Sequence, residues 1–306
     1  MKLSIVVPVY QEEDNLYDLY DDLKINVLDV IDFDYEIIMV DDGSTDNSYK
    51  IMEKLASDDK RIKIYRLSRN FGSHTALICG LSKTTGDCAV FKSADMQEPS
   101  ALLLEMVEEW KKGYNVVLAQ RDGREEGFLQ RFFANSYYFM VRHTALPNMP
   151  KKGADIYLLD RKVIDVIDSL DEKNSSIMCQ ILWSGFRTNA VHYIRKARSK
   201  GKSGWSLKKK IRLTFDTLYG FSTFPIQLVK YVGVASLIGV GIWGLIALFS
   251  ETINIDSFSL LAMVSFGLFG VMMLALGCVG GYVWRIFDSS RERPLYIIED
   301  SNEDDQ

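Results

Sequence analysis

The sequence has little of what builds disulfide frameworks, zinc sites or nucleic-acid interfaces. Its 306 residues include four cysteines, none of them in a CxxC pair, and three histidines. These numbers and spacings exclude a disulfide framework and the usual zinc patterns. The net charge is −5, whereas a general nucleic-acid binder carries an excess of Lys and Arg. No GxGxxG or GxxxxGKS/T motif follows the first predicted strand, so neither a dinucleotide site nor a P-loop is expected.

Hydrophobic residues are concentrated in the last third of the chain. Residues 231–249 and 258–284 form two stretches that contain no charged residue. A helix needs about 20 apolar residues to cross the hydrocarbon layer of a membrane, so each stretch predicts a transmembrane helix. A buried helical hairpin in a soluble protein is the alternative, although core helices are rarely apolar on every face over this length.

The charges around the two stretches predict their orientation. Nine Lys and Arg and no acid lie between Arg195 and Arg212, whereas the connector 250–257 has no Lys or Arg. Positive residues stay on the cytoplasmic side, so we expect a multi-pass plasma-membrane protein with both termini in the cytoplasm. Apolar residues interleave with the basic ones, which predicts an amphipathic segment at the lipid surface; a solvated face is the alternative. The apolar run in the opening MKLSIVVPVY is too short for a signal peptide.

Residues 1–120 alternate between strand and helix patterns. Runs rich in β-branched residues predict strands at 3–9, 36–40, 62–67, 89–92 and 115–119. Apolar spacings of three and four predict helices between them, with faces formed by Leu16, Leu19, Leu23 and Val27, and by Leu102, Leu103, Met106, Val107 and Trp110. This alternation predicts an α/β fold, in which an open and mostly parallel sheet carries helices on both faces.

Polar segments follow each of the first four predicted strands, at residues 8–12, 41–46, 68–72 and 93–99. In open parallel sheets, ligands bind beyond the carboxyl ends of the strands. The DDGS sequence alone is compatible with an ordinary turn and helix cap, and Asp95 alone with a cap of the following helix. Four such segments on consecutive strands favour one ligand site at this edge.

Seven motifs occur in a fixed order: VVPVYQEE, VDDGSTD, RNFG, SADMQEP, GADIYLLDR, RKARSKGKSGWSL and FSTFP. With the two apolar stretches, they resemble the family 2 glycosyltransferases of the GT-A fold. More narrowly, they resemble the polyprenyl-phosphate glycosyltransferases, which include dolichyl-phosphate mannose synthase and bacterial undecaprenyl-phosphate glucosyltransferases. The resemblance implies a Rossmann-like GT-A catalytic domain over 1–192 and basic amphipathic juxtamembrane helices over 193–225. It further implies two transmembrane helices within 226–285 and a cytoplasmic tail over 286–306.

The resemblance also implies which residues bind the donor. Nucleotide contacts pass to Pro8, Tyr10, Glu12, Asp42, Arg69 and Asn70. An Asp side chain can accept the imide N–H of uracil, which suits it to recognise a uridine donor. Asp95 and Gln97 match the metal motif and would hold Mg²⁺ or Mn²⁺ together with phosphate oxygens, while Ser93 stands where many relatives have Asp. Asp155 matches an acid near the sugar and joins Asp95 and Gln97 as the catalytic set.

The acceptor phosphate, by the same resemblance, meets a group of polar and cationic residues: Arg121, Arg131, Asn135, Arg195, Arg198 and Ser203. Tyr157 and Trp205 stand where relatives often have Arg and Tyr, so acceptor or sugar contacts are expected to differ there. Two anions must approach each other in this reaction, which requires a metal on the leaving group and cations on the acceptor.

The implied activity is that of an inverting, metal-dependent glycosyltransferase. It would move one sugar from a nucleotide donor to undecaprenyl phosphate at the cytoplasmic face of the membrane. UDP-glucose and UDP-N-acetylglucosamine are the first donors to expect, and galactose and mannose remain open as the sugar. Relatives assemble through their membrane helices, which implies a homo-oligomer, a tetramer by resemblance. Two alternatives are a family 2 enzyme that extends a saccharide, although no QxxRW-type motif is present, and a non-catalytic membrane scaffold whose metal site is degraded at Ser93.

Overall fold

The computed structural model describes residues 1–121, 128–150, 154–170, 172, 176–194, 214, 216–222, 224–249 and 257–303. Within these ranges, the side chains of residues 128–134, of residue 155 and of parts of the last two helices are outside the description. The chain divides into two compact units. The first contains the described residues before 195 together with those from Pro294 onward, and the second contains those within Thr214–Arg293.

Strands and helices alternate through the first unit. The described elements are β1 (Lys2–Val9), α1 (Leu16–Leu23), β2 (Asp34–Asp41), α2 (Ser48–Asp58), β3 (Ile62–Leu67), α3 (Ser73–Ser82), β4 (Cys88–Phe91), α4 (Leu102–Lys111), β5 (Val116–Arg121), α5 (Phe128–Thr144), β6 (Ala154–Asp160), α6 (Arg161–Asp168), α7 (Ile177–Trp183), β7 (Thr188–Tyr193) and, after the second unit, β8 (Ile298–Ser301). Helix α1 continues into one wider π turn, Lys24–Leu28.

The strands form one eight-stranded sheet in the order β7-β5-β6-β4-β1-β2-β3-β8. Neighbours β4, β1, β2 and β3 are parallel, and so are β5 and β7, whereas β6 and β8 run antiparallel to their neighbours. Because β6 is antiparallel to both β4 and β5, those two strands point the same way. The predicted α/β fold with a mostly parallel sheet is confirmed.

The core forms where the apolar patterns predict it. Strand β1 is buried along almost its whole length, as its continuous apolar run requires in a central parallel strand. The predicted face of α1, which is Leu16, Leu19, Leu23 and Val27, is fully buried, and so is most of the α4 face. Removing these side chains from water is the main force that holds helices against the sheet.

The observed strands differ from the predicted ones mainly at their ends. Strand β2 begins two residues earlier and continues through Asp41, and β5 extends to Arg121. Asp41 and Arg121 are charged, so the apolar pattern excludes them, yet both are buried. Strand β4 ends at Phe91, and Lys92 is fully buried just beyond it. Buried charged residues at strand ends are unusual and draw attention to this edge of the sheet.

Strand β8 adds an antiparallel edge to the sheet beside β3. Arg66 pairs with Asp300, and an irregularity follows before Leu67 pairs with Ile298. The Asn302 side chain accepts from the Ile64 backbone N–H at 2.9 Å and donates to the Ile62 carbonyl at 3.1 Å. The segment that follows the second apolar stretch is therefore part of the first unit's sheet.

The second unit contains two long helices, α8 (Phe224–Phe249) and α9 (Ser257–Ser290). Both predicted apolar stretches lie within them. Among the described residues, one segment, Gly267–Ser290, is long and apolar enough to cross a membrane. Arg285 donates to the backbone oxygen and the carboxylate of Asp216 at 2.9 and 3.1 Å, and Tyr282 donates to the Ser222 carbonyl.

Candidate functional site

The sheet topology brings the predicted site segments to one edge. Strands β1 to β5 and β7 all end there, and β6 begins there because it runs the opposite way. The loops after β1, β2, β3 and β4, the last residue of β5 and residue 155 of β6 therefore share this edge. This is the edge at which ligands bind in open α/β sheets.

The loops after β1 and β2 are joined by hydrogen bonds. The backbone N–H of Gln11 donates to Ser44 Oγ at 3.0 Å, and that of Glu12 donates to Ser48 Oγ at 2.9 Å. Gln11 has a φ of +54°, which side chains other than glycine seldom adopt, so the turn after β1 is held in an unusual conformation. The hydroxyls of the DDGS segment and the following helix start thus fix the backbone of the first loop.

The loops after β2 and β3 are joined even more tightly. The Asp42 carboxylate accepts the backbone N–H of Phe71 at 2.7 Å and that of Gly72 at 2.9 Å. Gly43 has a φ of +69°, and a Cβ built there would lie 2.6 Å from the carbonyl carbon of Arg69. Only glycine fits this close approach between two backbones. The three loops after β1, β2 and β3 therefore form one connected floor.

The predicted nucleotide residues lie on or beside this floor. Pro8 is half-buried at the end of β1, and the Tyr10 ring is 43% exposed. The Glu12 carboxylate accepts a hydrogen bond from the Asn15 side chain at 2.5 Å. Arg69 and Asn70 are exposed, and the Arg69 guanidinium lies 4.2 Å from the centre of the Phe71 ring. The structure thus gathers Pro8, Tyr10, Glu12, Asp42, Arg69 and Asn70 at one place.

Asp41 and Arg66 belong to the same place; the sequence patterns include Asp41 in the polar segment 41–46 but do not single out Arg66. Asp41 is fully buried and accepts the Ser44 backbone N–H at 3.1 Å. Its other carboxylate oxygen lies 3.4 Å from Arg66 Nε. Burial raises the pKa of Asp41, and the Ser44 hydrogen bonds and Arg66 oppose that rise. The signal for this pair was the pairing of strands β2 and β3, which sets Asp41 beside Arg66.

The metal-motif segment after β4 forms a tight turn around Asp95. Asp95 is 8% exposed, and one of its carboxylate oxygens accepts the Ser93 hydroxyl at 2.7 Å and the Gln97 backbone N–H at 3.3 Å. The intervening Met96 has a φ of +59°. Ser93 therefore orients the remaining acid of the motif by a hydrogen bond, where a second acid would have repelled it.

The Lys92 side chain holds this turn in place by a hydrogen bond across it. Its ammonium group is fully buried and donates to the Glu98 backbone carbonyl, so that residues 92–98 form a ring. Glu98 itself is 2% exposed. A buried ammonium group is costly unless it is hydrogen-bonded, so this contact fixes both ends of the metal-motif turn.

The predicted acceptor residues are only partly within the described structure. Arg121 is buried at the end of β5, and Asn135 is exposed on α5. Arg131 and Asp155 lie on described backbone, but their side chains are outside the described part of the chain. Four further predicted residues lie wholly outside it: Arg195, Arg198, Ser203 and Trp205. Tyr157 is buried, and its hydroxyl donates to the Ala154 carbonyl at 2.8 Å.

Comparison with known proteins identifies the class of this site. Residues 4–169 match the model of Glycosyl transferase family 2. The chain is 37% identical over 307 residues to the uncharacterized glycosyltransferase YkcC of Bacillus subtilis, covering 98% of this chain and 94% of that protein. It is 31% identical over 305 residues to the bactoprenol glucosyl transferase of Shigella phage SfX, covering 98% and 99% respectively.

The chain is a glycosyltransferase with a GT-A-like α/β domain, and the resemblance stated from the motifs is confirmed. The chain belongs to Glycosyl transferase family 2. Among solved structures, glucosyl-3-phosphoglycerate synthase from Mycobacterium tuberculosis, in complex with Mn²⁺, uridine diphosphate and phosphoglyceric acid, is similar with a TM-score of 0.48. That similarity has 15% sequence identity and covers 71% of this chain and 76% of the other.

Proposed function

We propose that this glycosyltransferase moves one sugar, with inversion, from a uridine diphosphate sugar to undecaprenyl phosphate. UDP-glucose is the first donor to expect and UDP-N-acetylglucosamine the second. The observation that carries the proposal is the similarity to a bactoprenol glucosyl transferase over 98% of this chain and 99% of that protein. A relative aligned over both the sheet domain and the apolar stretches supports the same acceptor class.

The connected loop floor supports a nucleotide donor. Each carboxylate oxygen of Asp42 accepts a backbone N–H of the loop after β3, and a carboxylate oxygen can accept more than one hydrogen bond. The imide N–H of uracil would be a further donor to this carboxylate. The exposed Tyr10 ring nearby offers a face for base stacking.

The residues after β4 fit one divalent cation that is held jointly with the donor. Asp95 offers a carboxylate and Gln97 an amide oxygen, and both are the hard oxygen ligands that Mg²⁺ and Mn²⁺ prefer. Among the described residues, no group of three His, Cys, Asp or Glu could hold a metal ion. The diphosphate would therefore complete the ligand set. When bound, the ion neutralises charge on the leaving diphosphate.

The acceptor half of the reaction requires cations more than a base. A polyprenyl phosphate is ionised near neutral pH, so its oxygen can attack the anomeric carbon without a proton acceptor. Arg121, buried at the same edge as the donor loops, is one cation suited to offset the two phosphate charges. Arg131, Arg195 and Arg198 are proposed to do the same, with Asn135 and Ser203 as hydrogen-bonding partners and Asp155 near the sugar.

The membrane arrangement is part of the proposal. Helices α8 and α9 would form a transmembrane hairpin, with both termini and the catalytic domain in the cytoplasm, as the basic residues before α8 favour. The basic segment 195–212 would lie along anionic headgroups and place the site at the depth of a lipid phosphate. Assembly of several copies through these helices is proposed as well.

The proposal is tested by a donor screen with the purified full-length protein, undecaprenyl phosphate and Mn²⁺. The donors are UDP-glucose, UDP-N-acetylglucosamine, UDP-galactose and GDP-mannose, and the readout is labelled sugar in the lipid phase. We expect transfer from a UDP-sugar, with UDP-glucose fastest. Asp95→Asn should lower the rate at least about 100-fold, because the diphosphate charge is then poorly neutralised.

Asp165→Asn is the matched control, since Asp165 is exposed on α6, where its carboxylate lies 3.7 Å from the Arg161 guanidinium. Its transfer rate should equal that of the wild type. Preference for GDP-mannose would contradict the donor proposal. Transfer of the sugar to a saccharide, and not to the lipid phosphate, would favour the chain-extending alternative. Neither transfer nor donor hydrolysis in any metal would support the non-catalytic scaffold.

A further inference from the structure

Arg66 lies at the centre of a charged cluster behind the donor loops. Its Nε is 3.4 Å from the buried Asp41 carboxylate, and its Nη2 donates to the Ser44 backbone carbonyl at 3.4 Å. The guanidinium also lies 4.9 Å from the centre of the Tyr49 ring, on α2. One planar cation thus touches the strand end, the turn that follows it and the helix beyond the turn.

Strand β8 supplies the outer side of this cluster. Glu299 Oε2 lies 3.8 Å from Arg66 Nε, and Asp300 pairs with Arg66 in the strand register. Burial and a hydrogen bond with Asp300 raise the pKa of Tyr49. The partly exposed Arg66 side chain therefore lies between Asp41 of β2 and Glu299 of β8. A chain without β8 would lose the contact between Arg66 and Glu299 and the hydrogen bond between Tyr49 and Asp300.

The cluster connects directly to the donor floor. Asp41 accepts the Ser44 backbone N–H, and Ser44 Oγ accepts the Gln11 backbone N–H from the first loop. Arg66 contacts both residues of this connection, Asp41 through its carboxylate and Ser44 through its backbone carbonyl. Loss of Arg66 would leave a fully buried carboxylate without its counter-charge, which is strongly unfavourable. The turn that carries Asp42 would then relax.

We propose that Arg66 is a positioning residue of the donor site and that β8 holds it in place. Arg66 fixes the turn over residues 41–44 from behind and touches no reacting atom. Strand β8 therefore contributes to the affinity for the donor nucleotide through Arg66. This inference rests on the proposed function in one respect, which is that the donor nucleotide binds on the floor formed by these loops.

The test compares two arginines with similar kinds of contact, an ion pair and an aromatic ring, at opposite ends of β3. Arg61 precedes β3, forms two side-chain hydrogen bonds with Asp59 at 2.9 and 3.0 Å, and lies 4.1 Å from the centre of the Tyr35 ring. Arg61→Gln therefore removes the same kind of ion pair and ring contact far from the loops. Both variants are made in the full-length protein, and UDP binding with Mn²⁺ is measured by calorimetry beside donor KM, kcat and thermal stability.

Arg66→Gln should raise both the Kd for UDP and the donor KM about tenfold, while kcat stays within about twofold, since a charge-assisted contact to the binding turn is lost. Arg66→Lys keeps the charge and should recover part of the affinity. Arg61→Gln should lower thermal stability and leave the Kd for UDP unchanged. A merely structural role for Arg66 predicts that Arg66→Gln lowers thermal stability and leaves the Kd for UDP unchanged.

A second matched pair tests the contribution of β8. Glu299→Gln weakens the outer contact of Arg66, whereas Glu303→Gln removes an ion pair with Lys63 at the other end of the same strand pair. Glu299→Gln should raise the Kd for UDP about twofold, because an exposed ion pair contributes little, and Glu303→Gln should not change it. Should Arg66→Gln fail to fold, Arg66→Lys and Glu299→Gln carry the same comparison.

The outcomes separate this inference from the proposed function. A wild-type protein that binds no UDP contradicts the proposed donor. A wild-type protein that binds UDP with the same Kd as Arg66→Gln overturns the role of Arg66, and so does the same Kd in Arg66→Lys when Arg66→Gln does not fold. Equal Kd values for Glu299→Gln and wild type overturn the role of β8, and a fall in kcat at unchanged Kd contradicts a positioning role.

Discussion

At the scale of single residues, the donor floor depends on side chains that hold backbone as much as on side chains that face a ligand. The resemblance assigns Asp42 to the nucleotide, and the structure shows its carboxylate holding the loop after β3 as well. Gly43 beside it has a positive φ and sits against the backbone of the same loop. The relative position of the two loops is thus fixed by the Asp42 carboxylate and by the absence of a side chain at Gly43.

Gly43→Ala is expected to separate the loops after β2 and β3. A methyl group there would lie 2.6 Å from Arg69 backbone, which neither loop can accommodate without moving. The Kd for UDP should rise at least about tenfold, because the Asp42 carboxylate moves with its turn. Calorimetric titration of the full-length variant with UDP and Mn²⁺ measures the change.

Gly113→Ala is the control for the cost of a positive φ alone. Gly113 has a φ of +91°, and the nearest atom to its built Cβ is 3.9 Å away, in the Arg187 side chain. This variant should lose stability by about 1 kcal/mol and bind UDP as the wild type does. If both glycine variants bind UDP equally well, the close approach at Gly43 does not govern the donor site.

Residue identity was easier to predict from sequence than residue partners. The polar segments at strand ends identify the site edge, because that inference needs only strand direction. The Asp41–Arg66 pair and the Lys92 contact with Glu98 were not predicted. Their partners come from a different strand or from across a turn, so only strand register and turn conformation reveal them. Charged residues also interrupt an apolar pattern, which hides their burial.

At the scale of elements, the amino ends of the strands are held by a cluster around Glu36, opposite the site. Glu36 is 2% exposed and accepts the Ser4 hydroxyl and the Thr85 backbone N–H, each at 2.6 Å. Lys2 Nζ lies 3.0 Å from its other oxygen. Burial raises the pKa of this carboxyl, but the hydrogen bonds outweigh it and lower the pKa from 4.5 to about 2.

This lowered pKa predicts an acid-dependent loss of stability. A carboxylate with a depressed folded pKa stabilises the protein above its unfolded pKa of 4.5, and that contribution is lost as the pH falls toward about 2. Between pH 5.5 and 3.5 the wild type should lose on the order of 1 kcal/mol that Glu36→Gln does not lose. Thermal melts of the detergent-purified proteins across this range measure the difference.

Glu105→Gln controls for the removal of one carboxylate, because Glu105 is exposed on α4. Its stability should follow the wild-type pH dependence. Parallel curves for the wild type and Glu36→Gln would show that Glu36 does not titrate with a depressed pKa in the folded protein.

Strand β8 shows where element prediction from sequence stops. Apolar runs predict the five buried strands β1 to β5, because burial on both faces leaves a strong pattern. The β8 sequence, IEDS, is short and acidic, and its residues are exposed or half-exposed at the sheet edge. Acidic residues on an edge strand discourage pairing with other chains, so the composition suited to an edge hides the strand.

At the scale of the whole molecule, the proposed acceptor site and membrane contact depend on the basic segment 195–212, which lies outside the described residues. Arg198→Lys should raise the acceptor KM and leave UDP binding unchanged, because Lys cannot grip two phosphate oxygens as Arg does. The measurement is transfer to a short-chain, detergent-soluble polyprenyl phosphate, which removes membrane docking from the assay. Arg195 and Arg131 are expected to behave similarly.

The comparison for Arg198→Lys is a triple variant in which Lys208, Lys209 and Lys210 are changed to Glu. Each Lys near an anionic surface contributes about 1 kcal/mol to binding, and salt screens that contribution. The triple variant should therefore bind anionic vesicles more weakly, most clearly at low salt, while transfer to the soluble acceptor is unchanged. If Arg198→Lys instead weakens vesicle binding alone, Arg198 docks the membrane and the acceptor phosphate binds elsewhere.

The position of β8 in the chain also has a consequence for biosynthesis. Ribosomes deliver β3 early, but its outer partner emerges only after both long helices α8 and α9 have been made. Throughout that interval the nascent domain carries an unpaired strand edge, which is the surface through which unfinished chains associate. Translation that stops within α9 would therefore release a product prone to aggregate through β3, and synthesis of β8 closes that edge.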